Sequence, residues 1–313
     1  MGQNIISRPH CHSPLPARAA NEATLRDVQP TAMSRPSLLL RFRILQIRVL
    51  ASLLNFLGTR STGRKWIARL RSNRVTRTPL EMCLGFRRAF PSFAAAQACA
   101  SKYIQAGHEH PDDVRFHASM SETVRESDYA ILFHLVPLAS ELRRVFDFGG
   151  NVGNLFYAYQ REIDFPQGLR WTVYDLPVKK LLGEKLAAER AETRIRFTDT
   201  LAEASGSNVF IASGSLHYFE ESLHTILGSL EDLPEHVFIN RTPCSSGSDL
   251  ITVQDNRSYL VPCKLHSRTT LVAGMQALGY ELRAEWPVFE RKLLVPTHPD
   301  LSARTYSGFY FRR

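Results

Sequence analysis

Between residues 144 and 240, short apolar runs alternate with longer mixed segments, a pattern that predicts parallel strands separated by helices. The runs are Arg144 to Asp147, Leu169 to Tyr174, Arg194 to Phe197, Asn208 to Ala212 and Val237 to Asn240. They are nearly continuous, as strands buried on both faces are. Leu271 to Leu278 reads as a helix stopped by Gly279, and Tyr280 to Trp286 with Tyr306 to Phe311 as two last strands in an antiparallel hairpin. The intervening Arg241 to His266, with its Ser245-Ser246-Gly247-Ser248 cluster, reads as a polar loop inserted at the carboxyl edge of the sheet. Upstream, helices are expected over Leu38 to Leu57, over the alanine-rich Phe93 to Tyr103, and from Met120 to Leu135. Residues 1 to 36 mix Pro, Ser, Ala, Arg and His without apolar period and read as disordered; Met33 opens the first structured run and is a candidate start. The expected division is a basic tail over 1–36, a helical N-terminal extension or cap over 37–130, and a doubly wound α/β domain over 131–313.

The first of these strands runs into the most specific motif. Asp147-Phe148-Gly149-Gly150-Asn151-Val152-Gly153 is a strand-ending acid, a glycine turn and the start of a helix. Glycine without a Cβ lets the backbone turn sharply and lets a ligand lie against bare peptide groups at a helix N-terminus. A dinucleotide fingerprint ending on Gly153 would need glycine where Phe148 stands. The pattern of an acid followed by glycine at alternate positions, used for S-adenosylmethionine (SAM), fits with Asn151 as its one departure, and Asn tolerates left-handed backbone.

The second strand ends in Asp175, twenty-eight positions after Asp147, where a carboxylate can accept from two ribose hydroxyls; Leu176-Pro177 then suits an apolar contact beside an adenine. Asp199 follows the third strand and is a candidate acceptor for an adenine amino group. After the fourth strand, Ser213-Gly214-Ser215-Leu216-His217-Tyr218 leaves room at the carboxyl edge, where open α/β sheets bind ligands.

Asp147 to Gly153, Val173 to Pro177 and Ala212 to Tyr218 together resemble class I SAM-dependent methyltransferases. The stretch from Val145 to Glu285, with Ile239-Asn240-Arg241-Thr242-Pro243, Thr252-Val253-Gln254 and Leu278-Gly279-Tyr280-Glu281, is similar to an uncharacterised bacterial methyltransferase family associated with cell-surface polysaccharide biosynthesis. The resemblance implies a Rossmann-like, mostly parallel sheet with an antiparallel last strand. It implies SAM as cofactor, held by Asp147, Gly149, Gly150, Gly153, Asp175, Leu176, Asp199 and Ser213. It also implies a small-molecule or lipid-linked glycan acceptor.

Methyl transfer from a sulfonium needs alignment more than side-chain chemistry, but a hydroxyl acceptor benefits from a general base. His217, at the end of a strand on the carboxyl edge, is placed for that work, with local hydrogen bonding the other use of such a histidine. Its Leu-His context echoes the small-molecule O-methyltransferases, although Tyr218-Phe219-Glu220 follows in place of their Asp-Trp pair. Arg241, Gln254 and Tyr259 are the candidate acceptor contacts, Arg241 being suited to a phosphate or carboxylate.

Charge narrows the partners. Of the formal +9, residues 1 to 90 hold sixteen Lys or Arg against Glu22, Asp27 and Glu81, a net of +13, which leaves −4 for the remainder. The basicity therefore belongs to the front segment. Arg41, Arg43 and Arg48 within Leu38 to Leu57 oppose a membrane-spanning helix. At about 100° per residue, Ser37, Arg41, Arg48, Ser52 and Asn55 share one polar face, which predicts a helix lying on a surface. That surface is either an anionic inner leaflet, a peripheral membrane contact through residues 37–57, or the chain's own catalytic domain with the helix as lid or dimer element. The basic Gly58 to Arg88 lacks the interleaved aromatics of a nucleic-acid platform. Cys11, Cys83, Cys99, Cys244 and Cys263 are widely spaced without a CxxC pair, and His108 and His110 have no third ligand, so a cytoplasmic protein without metal or disulfide framework is expected.

Overall fold

The structure, a computed structural model, describes residues 37–104 and 122–313, which fall in one compact unit spanning Ser34–Arg313. The predicted tail over 1–36, Met33, Cys11 and the His108 and His110 pair lie outside the described residues.

Helices α1 (Leu38–Gly58), α2 (Ser61–Ser72), α3 (Arg74–Leu84) and α4 (Phe93–Ala100) come first. Ser37 and Ser92 cap α1 and α4, their side chains accepting from Leu40 N at 3.3 Å and Ala95 N at 3.1 Å. The expected helix from Met120 is shorter than the sequence suggested. Residues 122–127 are extended or turn, and α5 runs over Asp128–Leu135, because Asp128 turns its carboxylate back onto Arg125 N at 2.9 Å and starts the helix there.

The α/β layer follows in chain order: β1 (Arg144–Phe148), α6 (Asn154–Tyr159), β2 (Arg170–Tyr174), α7 (Pro177–Glu189), β3 (Ile195–Thr198), β4 (Val209–Ser213), α8 (Leu223–Gly228), β5 (His236–Thr242), β6 (Cys244–Ser245), β7 (Leu250–Asp255), β8 (Leu260–Ser267), α9 (Arg268–Ala277), β9 (Glu281–Val288) and β10 (Tyr306–Arg312). Seven strands form one sheet in the order β3-β2-β1-β4-β5-β10-β9. β1 to β5 pair in parallel, and β10 runs antiparallel between β5 and β9. This is the doubly wound, mostly parallel α/β sheet expected from the apolar runs, with the reversal between β1 and β4 that opens a crevice at the carboxyl edge.

One sheet face buries Val145, Trp171, Val173 and Phe238 against α5 to α7, and the other buries Phe146, Phe148, Phe210 and Phe311 against α8 and α9. Phe146 stacks on Tyr174 and Phe210 with ring centroids 6.0 and 5.7 Å apart, so truncating it to Ala costs about 3–5 kcal/mol.

The segment Arg241 to His266 is not the loop expected. It forms a second sheet in the order β6-β8-β7, with β7 and β8 antiparallel from Leu250↔Leu265 to Asp255↔Leu260. Pro262 and the polar residues hid these strands. Pro262 is tolerated because β6 pairs only with His266 and Ser267, leaving β8 with one partner at position 262. Ile44 and Ile47 of α1, Phe86, Phe90, and Ala96 and Ala100 of α4 close on Val253 and Leu260, so the N-terminal helices rest on this small sheet.

Candidate cofactor and acceptor site

One cavity of about 690 Å³ opens at the carboxyl ends of β1, β2 and β4. Asp147, Gly149, Gly150, Asp175, Leu176, Asp199, Ser213, His217, Arg241, Gln254 and Tyr259 all line it. Gly153 does not. At φ 87° it forms the left-handed turn into α6, and a Cβ there would meet Ile195, Tyr157 and Phe197, so its role is packing of helix on sheet.

The glycine turn is built as the motif requires. Gly149 has φ 72° and its N–H donates to Tyr174 O at 2.7 Å, tying the turn to β2. A Cβ on Gly150 would overlap the Asp147 carboxylate, so only glycine lets the backbone pass there. Asn151 stands at φ 60°, the left-handed conformation that Asn accepts in place of glycine. Asp175, directly after β2, accepts from Asn151 N at 2.7 Å and Leu176 N at 2.8 Å, one bond to each carboxylate oxygen. Its remaining lone pairs stay available toward the cavity.

Asp147 is fully enclosed, and its Oδ2 accepts from Trp171 Nε1 at 3.3 Å while Oδ1 has no hydrogen-bond partner. Burial pushes its pKa up to about 7; the Trp171 hydrogen bond opposes this and the charge of Asp175 adds to it. Asn151 Oδ1, Ser213 Oγ and Arg241 Nε are likewise buried without partners. Buried polar atoms are ordinarily paired, so four such atoms around one cavity mark a site shaped for a polar ligand. Asp199 is at the rim, paired with Lys180 at 3.2 Å, which lowers its pKa.

His217 follows β4 in a short 3-10 turn, buried, with its ring 4.0 Å from that of Tyr218 and edge-on to Tyr306 at 5.7 Å. Tyr218 donates to Gln254 Oε1 at 2.9 Å, and Gln254 Nε2 donates to Asn256 Oδ1 at 3.1 Å, which fixes the β7 wall against the turn. Cys244 is no nucleophile: burial pushes its thiol up to about 12.

Arg241 lines the cavity and also carries an internal ion pair. Its Nη1 donates to Asp128 Oδ1 at 2.6 Å, and both side chains are buried. Asp128 also accepts from Tyr159 OH at 3.2 Å, and Asn240 Nδ2 is 3.4 Å away. Arg241 holds φ at 51°, an uncommon conformation for a bulky side chain, inside a strand. Its Nη1 is committed to the ion pair, while its Nε is buried without a hydrogen-bond partner and the residue still lines the cavity. Arg125, Asp128, Arg291 and Tyr306 line the same cavity and carried no sequence motif; Tyr218, which also lines it, closes the Ala212 to Tyr218 stretch.

No protein-family profile and no curated protein matches the chain. Solved structures with a similar fold include the N-terminal domain of EvdMO1 with S-adenosylhomocysteine (SAH) bound, at 12% identity and TM-score 0.42, over 63% of this chain and 84% of that one. The mitomycin 7-O-methyltransferase MmcR aligns at 15% identity and TM-score 0.43, over 78% and 70%. A Burkholderia thailandensis 1,6-didemethyltoxoflavin-N1-methyltransferase with SAH aligns at 20% and TM-score 0.36, over 60% and 86%. These neighbours are SAM-dependent methyltransferases of distant sequence. The functional reading rests on the site's own residues.

Proposed function

We propose that the protein is a SAM-dependent methyltransferase acting on a hydroxyl oxygen of a sugar or sugar-containing precursor. The observation that carries the cofactor reading is the cradle itself: Gly149 and Gly150 beside the enclosed, half-unpartnered Asp147, with Asp175 anchored at the next strand end. In it, Asp175 would take the ribose hydroxyls, Leu176 and Pro177 would flank the adenine, Asp199 would receive an exocyclic amine, and Asp147 Oδ1 and Ser213 Oγ would meet the amino-acid end. The cofactor would supply a methyl group on a sulfonium whose charge disperses as the bond breaks. The chain's own contribution is positioning and exclusion of water, with His217 as the general base that draws the proton from the acceptor hydroxyl. The glycan class of the acceptor is what the family resemblance of Val145 to Glu285 implies, and the cysteine pattern favours a cytoplasmic setting. Among the described helices none is long and apolar enough to cross a membrane.

The test is calorimetric titration of the full chain with SAM, SAH and NADH, beside Asp175→Ala. Binding of the first two, lost in the variant, is expected. Binding of NADH alone would make the site that of a nucleotide-dependent oxidoreductase. Binding of none by folded protein would leave a non-catalytic scaffold.

A further inference from the structure

The charged groups of the cavity are divided between its two halves. Asp147, Asp175 and Asp199 stand at the ends of β1, β2 and β3, whereas Arg125, Arg241 and Arg291 come from the segment before α5, from β5 and from the segment before β10. Sheet order puts β3-β2-β1 on one side of the crevice and β5-β10 on the other. Of the three arginines, Arg241 pairs with Asp128 through Nη1, and the nearby Glu290 accepts from Ser127 Oγ at 2.6 Å. Neither Arg125 nor Arg291 makes a side-chain hydrogen bond or ion pair with the described residues. Burial, and then the neighbouring Arg241 charge, push Arg125 down to about 10, with the charges of Asp128 and Glu290 opposing. A planar fork of donors that lines the cavity and makes no ion pair with its carboxylates matches a phosphate or carboxylate oxyanion.

We infer that the acceptor carries an oxyanion, held by Arg125 and Arg291 at the end of the cavity away from the β1 and β2 tips. Calling the ligand an acceptor rests on the methyltransferase reading; the subsite itself does not. The probe is inorganic phosphate, titrated into the full chain with and without SAH, against Arg291→Ala and Arg125→Ala/Arg291→Ala. Phosphate affinity is expected to fall about tenfold or more in the double variant, the worth of a charged hydrogen bond. SAH affinity should hold, which also shows that the variant folds. Equal phosphate affinity in the double variant, or no phosphate binding by the parent chain, overturns the subsite. Arginine-dependent phosphate binding without SAH binding keeps the subsite and removes the cofactor reading.

A separate observation concerns α1, which was expected to lie on a surface, either an anionic leaflet or the chain's own domain. The structure buries Ile44, Ile47, Ala51 and Leu54 and leaves the opposite side open. There Leu38, Phe42, Leu45, Val49, Leu53 and Phe56, all 53–81% exposed, recur at intervals of three or four residues as one apolar stripe. Arg60 lies over the Phe56 ring at 4.9 Å, and residues 37–90 carry twelve Lys or Arg against Glu81 alone. A second copy meeting this face about a two-fold axis would set basic surface on basic surface. An apolar stripe flanked by cations suits an anionic lipid bilayer, the stripe at the acyl boundary and the arginines among headgroups. We propose that α1 docks the protein on such a membrane surface.

Cosedimentation of the full chain with phosphatidylcholine vesicles, with and without phosphatidylglycerol, tests this beside Phe42→Glu/Val49→Glu. Binding is expected only to the anionic vesicles, weakened by salt and about tenfold or more weaker in the variant, with SAH binding intact. No vesicle binding, equal binding by the variant, or a dimer that the variant abolishes would overturn it.

Discussion

Replacing Asp147 by Asn should change how stability depends on pH by a calculable amount. The carboxyl is enclosed, and its folded pKa of about 7 lies above the ordinary 3.8. Between those values the folded chain keeps a proton that the unfolded chain has released. The resulting stabilisation is fully present below the unfolded pKa and is lost as pH rises through the folded one. At about 1.4 kcal/mol per unit, the whole shift is worth about 4 kcal/mol, of which about 3 kcal/mol disappears between about pH 5 and about pH 8. Asn keeps the shape and an acceptor for Trp171 Nε1 but does not titrate. Urea unfolding of both proteins at the two pH values gives a double difference in which every other group cancels. The variant should lose about 3 kcal/mol less than the parent on going to the higher pH. Parallel pH profiles would refute the claim that Asp147 is held near neutrality by burial.

His217→Ala should lower kcat by about a hundredfold or more on the acceptor found, with SAH affinity unchanged; unaltered turnover removes the histidine from proton transfer. Gly150→Ala should weaken SAH binding sharply, since its Cβ displaces the Asp147 carboxylate, and calorimetry reads this directly. Asp128→Ala leaves Arg241 buried without its partner and should cost about 3–5 kcal/mol in chemical denaturation. Burial pushes His266 down to about 4, below the ordinary 6.5, so its stabilisation is lost as pH falls through that window. His266→Leu should therefore resist acid unfolding better than the parent, followed by circular dichroism.

The parallel sheet was legible because buried strands write themselves as continuous apolar runs, and β1 to β5 fall within two residues of the predicted ends. The cradle was legible because backbone geometry there restricts residue type, as Gly150 and Asn151 show. What stayed hidden was tertiary. The ion pair of Arg241 stayed hidden because its partner, Asp128, lies over a hundred residues away in sequence. Gly153 belongs to the motif but faces Ile195 rather than the cavity. β7 and β8 are half-polar strands interrupted by Pro262, and pairing, not composition, makes them a sheet. The exposed apolar stripe of α1 was not legible because that helix is apolar on two opposite sides, and sequence periodicity cannot tell which side the chain itself covers.

Arg48 of α1 makes a two-pronged ion pair with Asp255, at 2.8 and 2.9 Å. Asp255 sits between Gln254 and Asn256, both of which line the cavity. The surface helix and the acceptor wall are therefore one residue apart along β7. If α1 docks on a surface as proposed, a shift of that helix would reach the cavity wall through Arg48 and Asp255, and by reciprocity occupancy of the cavity would act on attachment.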